Sequence, residues 1–277
     1  MHGMLDGRAV LEYFLAIRDE RVRRALARIG AALASRPEQR NPLDDRSMKV
    51  LVIDTALGAC TVGVFEADQA LAMRSEPMAK GHSERIGGIV RDVMAASGIG
   101  FDALDRIGVT VGPGSFTGLR VGLAFAQGLG EALDRPVIGL STLAALAASR
   151  PTPDAAPFAA VVDARRGQVY LQAFRGDQPL CPPQAVAIDA AVDLVAELGC
   201  AGVVGTGAAI LNARRGERSM KPLPLPDPPI IHPSPPALAR LTRLADPAGS
   251  PPRPLYLRAP DATPPTRLPG QARTPVA

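Results

Sequence analysis

The chain has 277 residues, 47% of them hydrophobic and 21% charged, with a formal net charge of +4. That is enough apolar material for one large core or two small ones, which excludes a disordered chain, and no apolar run is long enough to cross a bilayer. Three scattered cysteines and no histidines at ligand spacing argue against a disulfide framework or a zinc site, and 28 of the 31 basic residues are arginines that form no basic run, so no direct nucleic-acid surface is indicated.

Residues 1–47 differ in pattern from the rest of the chain. Val10, Phe14, Ile17, Val22, Leu26, Ile29 and Leu33 recur at roughly helical spacing over 7–33, and "SRPEQRNPLDDRS" reads as a linker. Met48 directly precedes the first strand pattern, so 1–47 is expected to be an extension upstream of a natural start at Met48. The N-terminus lacks the apolar core and cleavage site of a signal peptide, and a cytoplasmic location is expected.

From Lys49 the pattern is α/β. "KVLVID", "TALGA" and "CTVGVF" read as strand, turn and strand. The segment 83–97 reads as an amphipathic helix with Ser83 as N-cap, a stripe of Ile86, Ile89, Val90, Val93 and Met94, and Gly98 as its stop. "IGVTV", a helix over 116–133, "PVIGL" and the helical "STLAALAAS" complete a predicted N-terminal lobe, 48–150. Strands alternating with helices predict a largely parallel, layered sheet. A second lobe, 151–258, opens with "AAVVDARRGQVYLQAF" as strand, turn and strand, followed by the helix "DAAVDLVAELG" and the strand and glycine turn "AGVVGTG". Beyond Asn212 the chain turns proline-rich, with "PALARLTRLA" helical and "PLYLR" extended; 259–277 is expected to be a disordered tail.

The two hairpins match. "VIDTALGACTVGVF" places Asp54, Gly58 and Phe65 at the same offsets as Asp163, Gly167 and Phe174 in "VVDARRGQVYLQAF". Hairpin chemistry alone explains an Asp that caps the turn and a Gly at positive φ, but the matched spacing favours a duplicated half-domain. A duplicated αβ unit with an acidic hairpin in each half is the layout of the actin-like ATPase (ASKHA) fold, with two αβ lobes of mixed sheets flanked by helices.

The glycine-rich "VGPGSFTGLRVG", 111–122, suggests a phosphate loop. The P-loop spacing and its lysine are absent, Thr117 stands where a dinucleotide fingerprint has its third glycine, and Pro113 removes a backbone donor. What remains is a tight entry to a helix with Ser115 as cap. Asp54, Gly112, Gly114 and Ser115 stay as tentative nucleotide contacts, with turn-capping preferred for Asp54. Along the helix, Gly118, Gly122, Ala126 and Gly130 recur every four residues beside an apolar row of Val121, Phe125 and Leu129. Small residues in such a row let a neighbouring helix approach closely, whether from the same chain or from another subunit.

These segments together, in this order and spacing, with "VIGLSTLAALA", "VGTGA" and "PLYLR", resemble the TsaB (YeaZ) family over about 49–258. Members are non-catalytic subunits of the bacterial machinery that makes N6-threonylcarbamoyladenosine at position 37 of tRNAs reading ANN codons. The resemblance implies an actin-like fold, pairing with the catalytic paralogue TsaD and with the ATPase TsaE, a homodimer in isolation, contact with tRNA through the complex, and no membrane. It also implies that the helices over 83–97 and 116–133 form the partner interface. On that basis the interface candidates are Ile86, Ile89, Val90, Val93, Gly118, Val121, Gly122, Phe125, Ala126, Leu129 and Gly130, and Gly122→Leu is expected to break association while leaving the monomer folded. The metal-binding histidines of TsaD fall near Thr142 and Leu146 here, so no metal ligand and no catalytic residue is expected; no cofactor is expected to be held firmly, with ATP or ADP allowed at the interface with TsaD. His82, at the start of a helix, is read as structural. The alternatives are an independent actin-like ATPase or small-molecule kinase using Asp54 and Asp163, and, with no HExxH or histidine pair to support it, a metallopeptidase.

Overall fold

The computed structural model describes residues 47–78, 80–151 and 156–258. The amphipathic stretch over 7–33, the rest of 1–46 and the tail from 259 lie outside the described residues.

The first lobe is a five-stranded sheet in the order β3-β2-β1-β4-β5. Its strands are β1 (Lys49–Asp54), β2 (Ala59–Glu66), β3 (Gln69–Pro77), β4 (Arg106–Gly112) and β5 (Val137–Ser141). β1 pairs antiparallel with β2 and parallel with β4, and β4 pairs parallel with β5. The parallel steps need crossover helices, supplied by α1 (His82–Ser97) and α2 (Phe116–Leu133). The unbroken apolar run of β1 follows from its central place, buried on both faces. Leu51 and Ile53 pack beneath α1 and α2, while Val50 and Val52 pack on the opposite face against Leu238 and Ala239. Each such side chain removed from water contributes about 1.5–3 kcal/mol.

After α3 (Thr142–Ala148) the second lobe repeats the plan in shortened form. The hairpin β6 (Phe158–Arg165) and β7 (Gln168–Arg175) is followed by β8 (Gln178–Pro179), β9 (Gln184–Ala187), α4 (Ile188–Glu197), β10 (Val203–Val204) and α5 (Ala208–Glu217). β10 lies parallel to β6 as β4 lies parallel to β1. Hairpin, helix, parallel strand and helix recur in both lobes, so the chain has the duplicated, mixed-sheet architecture of the actin-like fold. α3 is the junction: Leu143, Leu146 and Ala147 pack with Phe158, Val162 and Phe174.

Two segments assigned by sequence to the second lobe return to the first. α6 (Pro235–Leu244) lies on the face of the sheet opposite α1 and α2, with Leu238 fully buried among Val50, Val52 and Phe65. Arg106 Nη1 donates to the carbonyls of Thr242, Arg243 and Ala245 at 3.3, 3.0 and 2.8 Å, so a cation closes the helix C-terminus. Then 250–258 forms a strap. Gly139 N–H donates to Ser250 O at 2.9 Å, Leu255 N–H to Val111 O at 2.8 Å, and Arg258 to Ala164 O at 3.0 Å in the second lobe. "PLYLR", read as extended from the sequence, forms no regular strand.

Smaller expectations change as well. α1 begins at His82 with Gly81 as N-cap at φ 88°, and the hydroxyl of Ser83 bonds to Glu84 instead of capping. α5, β3, β8 and β9 add to the elements read from sequence. Of the two matched glycines, only Gly167 takes positive φ.

Candidate functional site

The glycine-rich stretch forms a clasp around the β1–β2 turn. Ser115 N–H donates to Ala56 O at 2.7 Å and the Ser115 hydroxyl accepts from Gly118 N–H at 3.3 Å, which makes it the expected cap of α2. Thr55, fully buried, donates through Oγ1 to Gly118 O at 2.8 Å. Cβ atoms placed at Gly114, Gly118 and Gly122 would overlap Ala56 O, Thr55 O and Thr55 Oγ1 respectively, and one at Gly130 would overlap Val137.

This geometry corrects the interface read from the sequence. Ile86, Ile89, Val90, Val93, Gly118, Gly122, Ala126, Leu129 and Gly130 are all buried within the chain itself. The periodic row is where α2 approaches its own β1 turn and β5, so Gly122→Leu is expected to unfold the lobe, not to detach a partner. Of the eleven candidates, only Val121 and Phe125 are half-buried and reach the surface.

The outward surface of the helix pair lies one row over. On α2 it consists of Val121, Ala124, Phe125 and Gly128, all partly exposed and spaced i, i+3, i+4, i+7. On α1 it includes Gly87 and Gly88, flanked by the exposed Glu84 and Arg91. A Cβ at Gly87 would stand 3.8 Å from the Phe125 ring, and Cβ atoms at Gly88 or Gly128 would meet nothing within 4 Å. Three glycines thus sit inside helices, where each costs about 1 kcal/mol against alanine, and nothing in the chain's own packing crowds them. Sequence reasoning missed Gly87, Gly88, Ala124 and Gly128, although the four-position stripe on α2 was the signal available. At the start of α2, Arg120 lies 3.7 Å above the exposed Phe116 ring and also bonds to Tyr256 of the strap at 3.3 Å.

Beneath the clasp lies Asp54, 1% exposed. Its Oδ1 accepts from Ala56 N–H at 2.9 Å and from Thr110 Oγ1 at 2.7 Å, while Oδ2 has no partner among the described residues. Burial pushes its carboxyl above the usual range, opposed by those two hydrogen bonds and then by the nearby His232 and His82. In the second lobe Asp163 Oδ1 accepts from Arg165 N–H at 2.7 Å, the same i, i+2 bond, so both aspartates cap their turns. A Cβ at Gly112 would stand 3.1 Å from Leu119 Cδ1 and 3.2 Å from Leu255 O. Asp54 Oδ1 and Ser115 thus make their hydrogen bonds within the chain, at the clasp around the β1–β2 turn. Thr142 and Leu146 are fully buried in α3, and His82 is buried with Nε2 unpartnered among the described residues.

Known proteins resemble this chain in both sequence and structure. The family described as tRNA N6-adenosine threonylcarbamoyltransferase (TsaD) matches residues 75–227. A tRNA threonylcarbamoyladenosine biosynthesis protein TsaB from Escherichia coli is 36% identical over 132 residues, 47% of this chain and 57% of that protein. The chain thus aligns with little more than half the length of that relative. An uncharacterized protein from Mycobacterium tuberculosis is 34% identical over 218 residues, 78% of this chain and 94% of its own length. Among solved structures, YeaZ from Pseudomonas aeruginosa superposes with a TM-score of 0.59 at 26% identity, covering 76% of this chain and 100% of that one. Among the described residues no helix is long and apolar enough to cross a membrane.

Proposed function

Since the chain belongs to the tRNA N6-adenosine threonylcarbamoyltransferase family and, within it, is a TsaB/YeaZ member, we propose that it is a non-catalytic, partner-binding subunit in the formation of N6-threonylcarbamoyladenosine on tRNA. It binds the TsaD subunit through the outward face of α1 and α2, works with TsaE, meets tRNA through the assembled complex in the cytoplasm, and uses the same face for a homodimer when alone. The observation that carries this reading is the pair of helices with uncrowded glycines, Gly87, Gly88 and Gly128, beside the half-exposed Val121 and Phe125. Such a surface lets partner helices approach closely, as in small-residue helix packing generally. A paralogue with the same fold presents a similar helix pair, so self-pairing and hetero-pairing compete for one face.

The chemistry of the complex is assigned to TsaD. In this chain the places corresponding to the TsaD histidines hold Thr142 and Leu146, and Asp54 spends one carboxylate oxygen on its own turn. Nucleotide, on this reading, is a ligand of the assembled pair and not of the isolated chain. The test is co-purification with the cognate TsaD. Gly128→Leu should abolish association while leaving the lobe folded, with a melting temperature no lower than native, because its Cβ enters open space; retention of TsaD by Gly128→Leu, or no association of the native chain at micromolar concentration, overturns the reading.

A further inference from the structure

The two outer strands of the first sheet are treated unequally. At one edge, β5 is covered by the strap, which bonds to Gly139 and then presents Pro251, Pro252 and Pro254, residues without an N–H to extend a ladder. At the other edge, β3 runs for nine residues and pairs only with β2 among the described residues. Its side chains are mostly exposed, including Met73 at 58%. A row of unpaired N–H and C=O groups of that length is a template for another strand.

The sequence of this edge indicates which strand fits. Arg74 and Glu76 stand two apart on one face of β3, 2.7 Å from each other, and Arg74 also pairs with Asp92 and Glu76 with Arg85 on α1. Arg74, Arg85 and Asp92 are exposed and Glu76 is half-buried, so each pair contributes little on its own. In an antiparallel pair with Ser75 opposite Ser75 of a second copy, Arg74 of each chain stands directly across from Glu76 of the other. The same attraction is thus made twice about the two-fold axis, and Met73 packs against Pro77. Moving the axis to Met73 loses both pairs, since Arg74 then faces Ala72 and Glu76 faces Ala70. Cross-strand charge pairs and two-fold self-complementarity both select the Ser75 register.

We propose that β3 is a self-association edge: two copies of this chain join β3 to β3, antiparallel with Ser75 on the axis, and merge two five-stranded sheets into one of ten strands. This contact is made by the sheet edge beside α1 and does not depend on the TsaD reading.

The test is site-directed disulfide trapping in the full chain. Ser75→Cys places two cysteines directly opposite across the axis, within the Cα separation a disulfide spans, whereas Met73→Cys places its copies apart. Under mild oxidation Ser75→Cys should form covalent dimer at least tenfold above both the native chain, whose Cys60 and Cys200 are buried and Cys181 half-buried, and Met73→Cys. Adding Arg74→Glu to Ser75→Cys should lower the yield several-fold, and further adding Glu76→Arg should restore it. Equal trapping by Met73→Cys and Ser75→Cys overturns the register. No trapping above native overturns the proposal, and an unchanged yield with Arg74→Glu removes its electrostatic basis.

Discussion

Two glycines six residues apart on α2 should respond to the same substitution with opposite signs. At Gly122 an added methyl would overlap Thr55 Oγ1 and stand 3.5 Å from Thr55 Cβ. Thr55 is fully buried between the β1 turn and the helix, and its hydroxyl holds Gly118 O at 2.8 Å. Alanine gains about 1 kcal/mol of helix preference. Against that stand overpacking of about 1–3 kcal/mol and loss of a buried hydrogen bond that leaves the Thr55 hydroxyl unpaired, a further ~1–3 kcal/mol. Gly122→Ala is therefore expected to destabilise by about 3 kcal/mol net, from those opposing terms. At Gly128 the new Cβ meets nothing within 4 Å, so only the helix preference acts and Gly128→Ala should stabilise by about 1 kcal/mol. With roughly 2–4 °C of Tm per kcal/mol in a domain of this size, calorimetry should read a rise of about 2–4 °C for Gly128→Ala and a larger fall, about 6–12 °C, for Gly122→Ala. Shifts of the same sign would refute the inward and outward assignment of the two rows.

Asp54 gives a pH-dependent expectation. Its folded pKa lies above the ordinary 3.8 because burial disfavours the charged form, so the native state binds its proton more tightly than the unfolded chain does. The stability tied to that proton is intact below the ordinary carboxylate range and is lost as pH rises through the raised value. Asp54→Asn, which keeps an acceptor for Ala56 and Thr110, should therefore gain Tm relative to the native protein between pH 4 and pH 8, and a constant difference across that range would contradict the assignment. Burial pushes the thiols of Cys60 and Cys200 up to about 11, so at pH 8 both should resist iodoacetamide until the protein unfolds, as read by mass spectrometry; rapid native-state labelling of either would overturn that burial.

The sequence carries the layered α/β plan because burial leaves period-marked patterns. All five members of the α1 stripe, Ile86, Ile89, Val90, Val93 and Met94, are in the core. Periodicity says that a face is covered but not by what, and this is why the row from Gly118 to Gly130 reads as a partner surface when Thr55 and Val137 of the same chain occupy it. The turn-capping roles of Asp54 and Asp163 are legible because an i, i+2 bond is local. β3 is invisible for the opposite reason: most of its residues are exposed, so no buried alternation marks it. α5 buries only Ala208, Leu211 and Arg215, too little apolar signal for a helix in "AAILNARRGE". The return of α6 to the first lobe depends on contacts far apart in sequence that no local pattern encodes.

The return of α6 and the strap also has a temporal consequence. Both complete the first sheet: Leu238 covers Val50 and Val52, and the strap closes the β5 edge. At a synthesis rate of about 5–20 residues per second, the roughly 100 residues that separate β5 from α6 take about 5–20 s to emerge. During that interval the nascent first lobe has the apolar underside of its central strands uncovered, while the second lobe is made, its core reaching Leu223 and its β10 turn held by the carbonyls of Pro224 and Ile230. The half whose synthesis begins first thus waits for residues that are made only after the hairpin and helices of the second lobe.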